Sequence, residues 1–118
     1  MTKIAQQAEV LCAEMLHRIA APTKYIAGFS TRLGRQLALQ RTQQSIYCWT
    51  EEVALAGAPI SPIRLYAANE RRNSNLNAKN CPNLKVGNSL HYWKFADTTS
   101  FQDFLNWYDQ RPQSSGHR

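Results

Sequence analysis

No segment of this sequence approaches the length of a membrane span, and no opening stretch joins a basic start to an apolar run and a small-residue cleavage site. A cytoplasmic protein without membrane contact is the expectation. Cysteine is scarce. Cys12, Cys48 and Cys81 are odd in number, far apart and never spaced as Cys-x-x-Cys, which argues against a disulfide framework and for a reducing compartment. The five glycines are scattered, so no glycine-rich loop is present to cradle a phosphate. Nor does the chain set out a nucleophile with its base, a catalytic pair of carboxylates or a metal-ligand cluster. A non-enzymatic protein with no cofactor and no metal is expected. The carboxylates of Glu51, Glu52 and Glu70 leave a small metal-dependent nuclease or hydrolase as the third reading, with no lysine or histidine following at a recognisable spacing. Of the histidines, His17 falls on the polar face of a helix and His117 near the end of the chain; His91 alone belongs inside a sheet, with no acid that the sequence places beside it.

What is present points to one α+β domain. With 118 residues the chain can bury roughly two thirds of its unfolded surface, enough for a core without disulfide or metal staples. Residues 2–20 carry Ile4, Ala8, Leu11, Cys12, Met15 and Ile19 at helical spacing, with Gln6, Glu9, Ala13 and His17 opposite. Residues 24–29 read equally as a short strand or as the approach to a second helix. Leu33 and Leu37 have helical spacing, whereas residues 36–40 alternate as a strand that would turn through 40–44 into a β-favouring run at 45–50; the strand is the preferred reading, and 24–44 stays open between strand and helix. Pro59 and Pro62 bracket a loop, and Ile63, Leu65 and Ala67 alternate with Arg64 and Tyr66 as a short strand.

The strongest pattern is a strand over 89–95 feeding a helix. Leu90, Tyr92 and Lys94 share one face and His91, Trp93 and Phe95 the other, so large rings stand on both sides. Gly87-Asn88 suits a tight turn that would pair 84–86 back onto this strand. Thr99 with Gln102 fits a capping box, and Phe101, Phe104, Leu105 and Tyr108 follow as an apolar stripe stopped by Pro112. The expected architecture is a mostly antiparallel sheet of about four or five strands with N-terminal and C-terminal helices packed on one face. The domain spans residues 1–112, and 113–118 is a frayed polar tail.

The formal charge of +6 is segregated. Residues 23–49 hold Lys24, Arg32, Arg35 and Arg41 with no acid, and residues 64–96 hold six basic residues against Glu70 alone. Nine of the fourteen cations are arginine, the residue that recognises phosphate and carboxylate bidentately. Residues 69–83 lack periodicity, contain six asparagines and carry Arg71, Arg72 and Lys79, groups able to bond phosphates and bases. Paired arginines in polar loops are more often just solvated. Tyr66, with Tyr47, Trp49, Tyr92 and Trp93, offers rings of the kind that stack on single-stranded nucleic acid, although rings at strand spacing more often fill a core. The expected function is a nucleic-acid-binding or nucleoprotein-associated accessory protein, with Arg32, Arg35, Arg41, Arg64, Tyr66, Arg71, Arg72 and Lys79 as the binding surface. The alternative is a small inhibitor or adaptor that docks on an acidic protein surface, for example of a nucleic-acid-processing complex.

Overall fold

A computed structural model describes residues 2–113. It has two helices, α1 (Lys3–Met15) and α2 (Thr98–Tyr108), on a six-stranded sheet of β1 (His17–Arg18), β2 (Ile26–Ser30), β3 (Gln36–Gln40), β4 (Ile46–Glu51), β5 (Arg64–Tyr66) and β6 (Leu90–Phe95). The strand order is β1-β2-β3-β4-β6-β5 and every pairing is antiparallel. The ambiguous 24–44 region resolves into β2 and β3. The strand total exceeds the expected four or five because His17–Arg18 pairs with Phe29 and Ser30.

That pairing also stops α1 short of the expected residue 20. Thr2 caps the helix, its hydroxyl accepting from the Ala5 N–H at 3.2 Å, and the chain turns extended at Leu16. Helical spacing continues past that point in the sequence, but tertiary contacts prevail over it. Arg18 lies over the Phe29 ring at 4.9 Å and donates to Glu9 at 3.4 Å, contacts that a continuing helix would not make. Glu9 was expected on the polar face; it is buried and also accepts from Arg41 Nε at 2.7 Å.

Both faces of the sheet are covered, as the two-sided apolar character of β6 requires. On the helical face, Ala27, Phe29, Leu37, Leu39, Ile46, Cys48, Trp93 and Phe95 meet Ala8 and Cys12 of α1 and Phe101, Phe104, Leu105 and Tyr108 of α2. Phe104 is central, with ring centroids 4.5 Å from Trp93 and 4.9 Å from Phe95. The Trp93 indole N–H is satisfied inside this core by Thr50 Oγ1 at 2.8 Å. On the other face, Ile26, Ala38, Trp49 and Leu90 lie beneath Leu76, Cys81 and Leu84, supplied by the irregular segment 67–89. The asparagine-rich stretch is therefore a second covering layer. Its backbone comes so close to β2 that a Cβ on Gly28 would collide with the Asn80 carbonyl oxygen.

Two local expectations fail. Residues 84–86 form no strand, because Pro82–Leu84 makes a short 3-10 turn that drops Leu84 into the second core; the neighbours of β6 are β4 and β5. Gly87 does adopt the positive φ expected of it, at 115°. The cap of α2 is Asp97, whose carboxylate accepts from the Ser100 N–H at 2.8 Å, and not Thr99. Those backbone donors hold the Asp97 carboxyl below its ordinary pKa. Of the tail, Gln113 donates to the Gly34 carbonyl at 3.0 Å, and 114–118 lie outside the described residues. No helix among the described residues is long and apolar enough to cross a membrane.

Candidate functional site

Successive same-face residues of β4 divide the non-helical face into three zones. Tyr47 stands at an end that the 67–89 segment leaves half open, Trp49 is buried beneath that segment, and Glu51 enters a cleft at the far end. Strand geometry separates the first and last of these by about 13 Å.

The open end carries a stack of rings. Tyr92 lies between Tyr47 at 5.6 Å and 17° and Trp49 at 4.8 Å and 27°, with the edge of Tyr66 at 6.5 Å. Antiparallel register brings them together by setting Tyr47 opposite Lys94, Trp49 opposite Tyr92 and Arg64 opposite Tyr92. Cations flank the stack: Lys94 Nζ is 5.6 Å from the Tyr47 centroid and the Arg64 guanidinium 4.0 Å from that of Tyr66. The Tyr92 hydroxyl is held by Gln40, and burial pushes its pKa up, so the ring stays neutral. Trp93, grouped with these rings by the sequence, points to the helical core instead. Lys94 was missing from the expected surface, although its alternation with Tyr92 carried the signal.

The expected basic residues scatter into different jobs. Arg35 is buried; it pairs with Glu51 at 3.0 Å and donates to the Pro112 carbonyl from Nε at 2.9 Å and Nη2 at 2.6 Å. Arg41 is bound to Glu9 and the Thr23 carbonyl, and Arg32 to Asp109 at 2.9 Å. Arg72 is a clasp. Its nitrogens donate to the carbonyls of Ala67 at 2.7 Å, Glu70 at 3.1 Å, Leu84 at 3.3 Å and Asn88 at 2.5 Å, tying the two ends of the 67–89 segment together. Arg64 pairs with Glu70 yet stays half exposed beside Tyr66. Glu70 is held below its ordinary pKa first by the Ala67 N–H and then by Arg64. Arg71 and Lys79 are exposed and enter none of the ion pairs among the described residues. Of the expected set, Arg64 and Tyr66 border the ring stack and Arg71 and Lys79 are simply exposed, while Arg35, Arg41 and Arg72 turn their donors inward.

The cleft has a volume of about 660 Å³ and is lined by Arg35, Glu51, Glu52, Val53, Ala54, Asn83, Asn88 and Ser89. It exists because β3 and β4 part at this end. Beyond the last ladder pair, Leu37 with Thr50, the Tyr108 hydroxyl inserts between the strands, donating to the Gln36 carbonyl at 2.6 Å and accepting from the Glu51 N–H at 3.2 Å. The Glu51 carboxylate then accepts from the Gln36 N–H at 2.8 Å and from Asn83 Nδ2 at 3.0 Å. Nearby, His91 is buried against Trp93 with Nδ1 lacking a partner among the described residues, and burial lowers its pKa despite the opposing charge of Glu52. No sequence signal exposed this cleft, since its residues come from four separate parts of the chain. Among the described residues, no group of three or more His, Cys, Asp or Glu side chains could hold a metal ion. No protein-family model, curated protein or solved structure matches this chain.

Proposed function

We propose that this protein binds single-stranded nucleic acid as a non-enzymatic accessory protein, using the sheet face opposite its helices. One observation carries the reading: the Tyr47–Tyr92 stack is flanked on that face by Lys94 and Arg64. Every base has a π-face, so such a stack receives bases without sequence preference, while the cations track the backbone. Duplex DNA suits the surface less well because its bases are already stacked. In a fluorescence-anisotropy titration, neutralising about four phosphates gives a slope of about −2.8 in log affinity against log salt for a single strand. Tyr47→Ala removes a stacking ring and weakens binding by about five- to a hundredfold. Absence of binding to any oligonucleotide at low salt would refute the proposal.

A second reading, the adaptor docked on an acidic protein, is favoured by Leu55, Ile60, Ile63 and Leu65, which remain exposed along the segment that ends in β5. Retention of a defined acidic protein partner in a pull-down after nuclease treatment would support it; a partner lost with the nuclease points back to nucleic acid.

A further inference from the structure

The open cleft at the parted end of β3 and β4 has a chemistry opposite to that of the tyrosine stack. It holds two carboxylates to one guanidinium, on a chain that is basic overall. The guanidinium is committed, since all three Arg35 nitrogens donate to Glu51, the Glu52 carbonyl or the Pro112 carbonyl. Both Glu51 oxygens are likewise engaged, by Arg35 on one side and by Gln36 and Asn83 on the other. The charge that remains for a visitor is the acceptor capacity of Glu52, beside the neutral carboxamides of Asn83 and Asn88. Glu52 is exposed and uses one carboxylate oxygen, on the Ser89 hydroxyl at 2.7 Å; its other oxygen has no partner among the described residues. Asn83 spends one amide N–H on Glu51 and keeps the other together with its side-chain oxygen, and Asn88 presents an uncommitted carboxamide from an exposed turn. Val53 and Ala54 supply an apolar wall.

A phosphate would meet carboxylates here and find no spare cation. A lone ammonium group would leave most of the volume empty, because about 660 Å³ lies in the range of pockets that hold whole organic ligands. From this geometry we infer that the cleft takes the base of an unpaired nucleotide, and selects cytosine or adenine, with an amine at C4 or C6, over thymine and uracil, with a carbonyl at C4. The cytosine 4-amino group donates to the free Glu52 oxygen, and Asn83 or Asn88 meets the rest of the polar edge. Thymine puts a carbonyl oxygen where that amine would be, against a carboxylate that cannot donate to it. The inference rests on the nucleic-acid reading above. It adds a base preference that the tyrosine stack alone does not give.

The test compares short oligodeoxycytidylate and oligodeoxythymidylate by anisotropy at constant salt and pH 7.5, with the wild-type chain and with Glu52→Ala. The wild type should prefer the cytidylate by about tenfold. Glu52→Ala should abolish that ratio. Removing a negative charge raises affinity for both strands equally, so the ratio separates base reading from charge. Glu52 is exposed, and the variant retains the fold; its urea midpoint checks this directly. Equal wild-type affinities, or a ratio that survives in Glu52→Ala, would overturn the base-reading cleft and leave the binding face standing. No binding of either strand would overturn both.

Discussion

The Tyr108 hydroxyl is one atom that holds a strand end together, and its removal can be valued. Tyr108→Phe keeps the ring stacked on Phe104 at 5.7 Å and 8°, so the core loses no volume. It deletes two hydrogen bonds and leaves the Gln36 carbonyl and the Glu51 N–H without their shared partner. A sealed, unsatisfied polar group costs about 1–3 kcal/mol. The two groups share one partner, and a value in the middle of that range for its loss places the total at about 2 kcal/mol. That is a substantial part of the roughly 5–15 kcal/mol expected for a domain of this size. In urea, with a slope of about 2 kcal/mol per molar, the midpoint should fall by about 1 M at unchanged slope. Burial raises the phenol pKa far above its ordinary value, so the loss should be the same at pH 6 and pH 8. A midpoint shift below about 0.2 M would show that the hydroxyl does not hold β3 and β4 in register.

Phe104→Ala, in the fully buried aromatic cluster, should cost about 3–5 kcal/mol in a denaturant melt, whereas exposed Arg71→Ala should stay within about 0.5 kcal/mol; similar values for the two would mean that α2 is not docked. Arg72→Ala should cost about 2 kcal/mol and accelerate amide exchange across residues 67–89 while leaving α1 and α2 protected, and unchanged exchange there would contradict the clasp. Because burial depresses the folded pKa of His91 below the ordinary 6.5, the unfolded chain takes its proton first as pH falls. Its stabilising contribution is full above about pH 6.5 and is lost as pH drops from there through the folded value; melts of His91→Gln against wild type from pH 7.5 to 5 should isolate that slope, and parallel curves would exclude it.

Much of the helical face was legible from spacing. The Phe101, Phe104, Leu105 and Tyr108 stripe and the alternation of Trp93 and Phe95 each encode a buried side, and those sides meet. The ambiguity over 24–44 had a physical source: Leu33 and Leu37 match a helix, while Leu37 and Leu39 match a strand, and only pairing with β4 decides. The second covering layer was not legible, because Leu76, Cys81 and Leu84 have no period and dock through backbone proximity to Gly28. Charge was a poor guide to exposure. Arg35, Arg41 and Arg72 look alike in composition to Arg71, but the acidic partners of the first two lie 16 and 32 positions away and the partners of the third lie on both flanks of a long segment. Lys94 and Tyr47 needed only the register of β4 against β6 to become neighbours.

The same register bears on the order in which the chain can assemble. β2, β3 and β4 succeed one another across short turns and can form a meander from local contacts. The six-residue ladder between β4 and β6 must first close the excursion of residues 52–89, an entropic cost met before its contacts accrue. α2 follows β6 directly and arrives with it. The 67–89 segment, with its few apolar anchors, has a finished surface to settle on only afterwards. Elements completed last by few contacts are also those that open at least cost. The tyrosine stack is therefore bordered by the part of the fold held by the fewest apolar anchors, whose edges can open without disturbing the helical core. In native-state hydrogen exchange this appears as two tiers, with amides of 67–89 opening well below the free energy that guards the β4–β6 ladder.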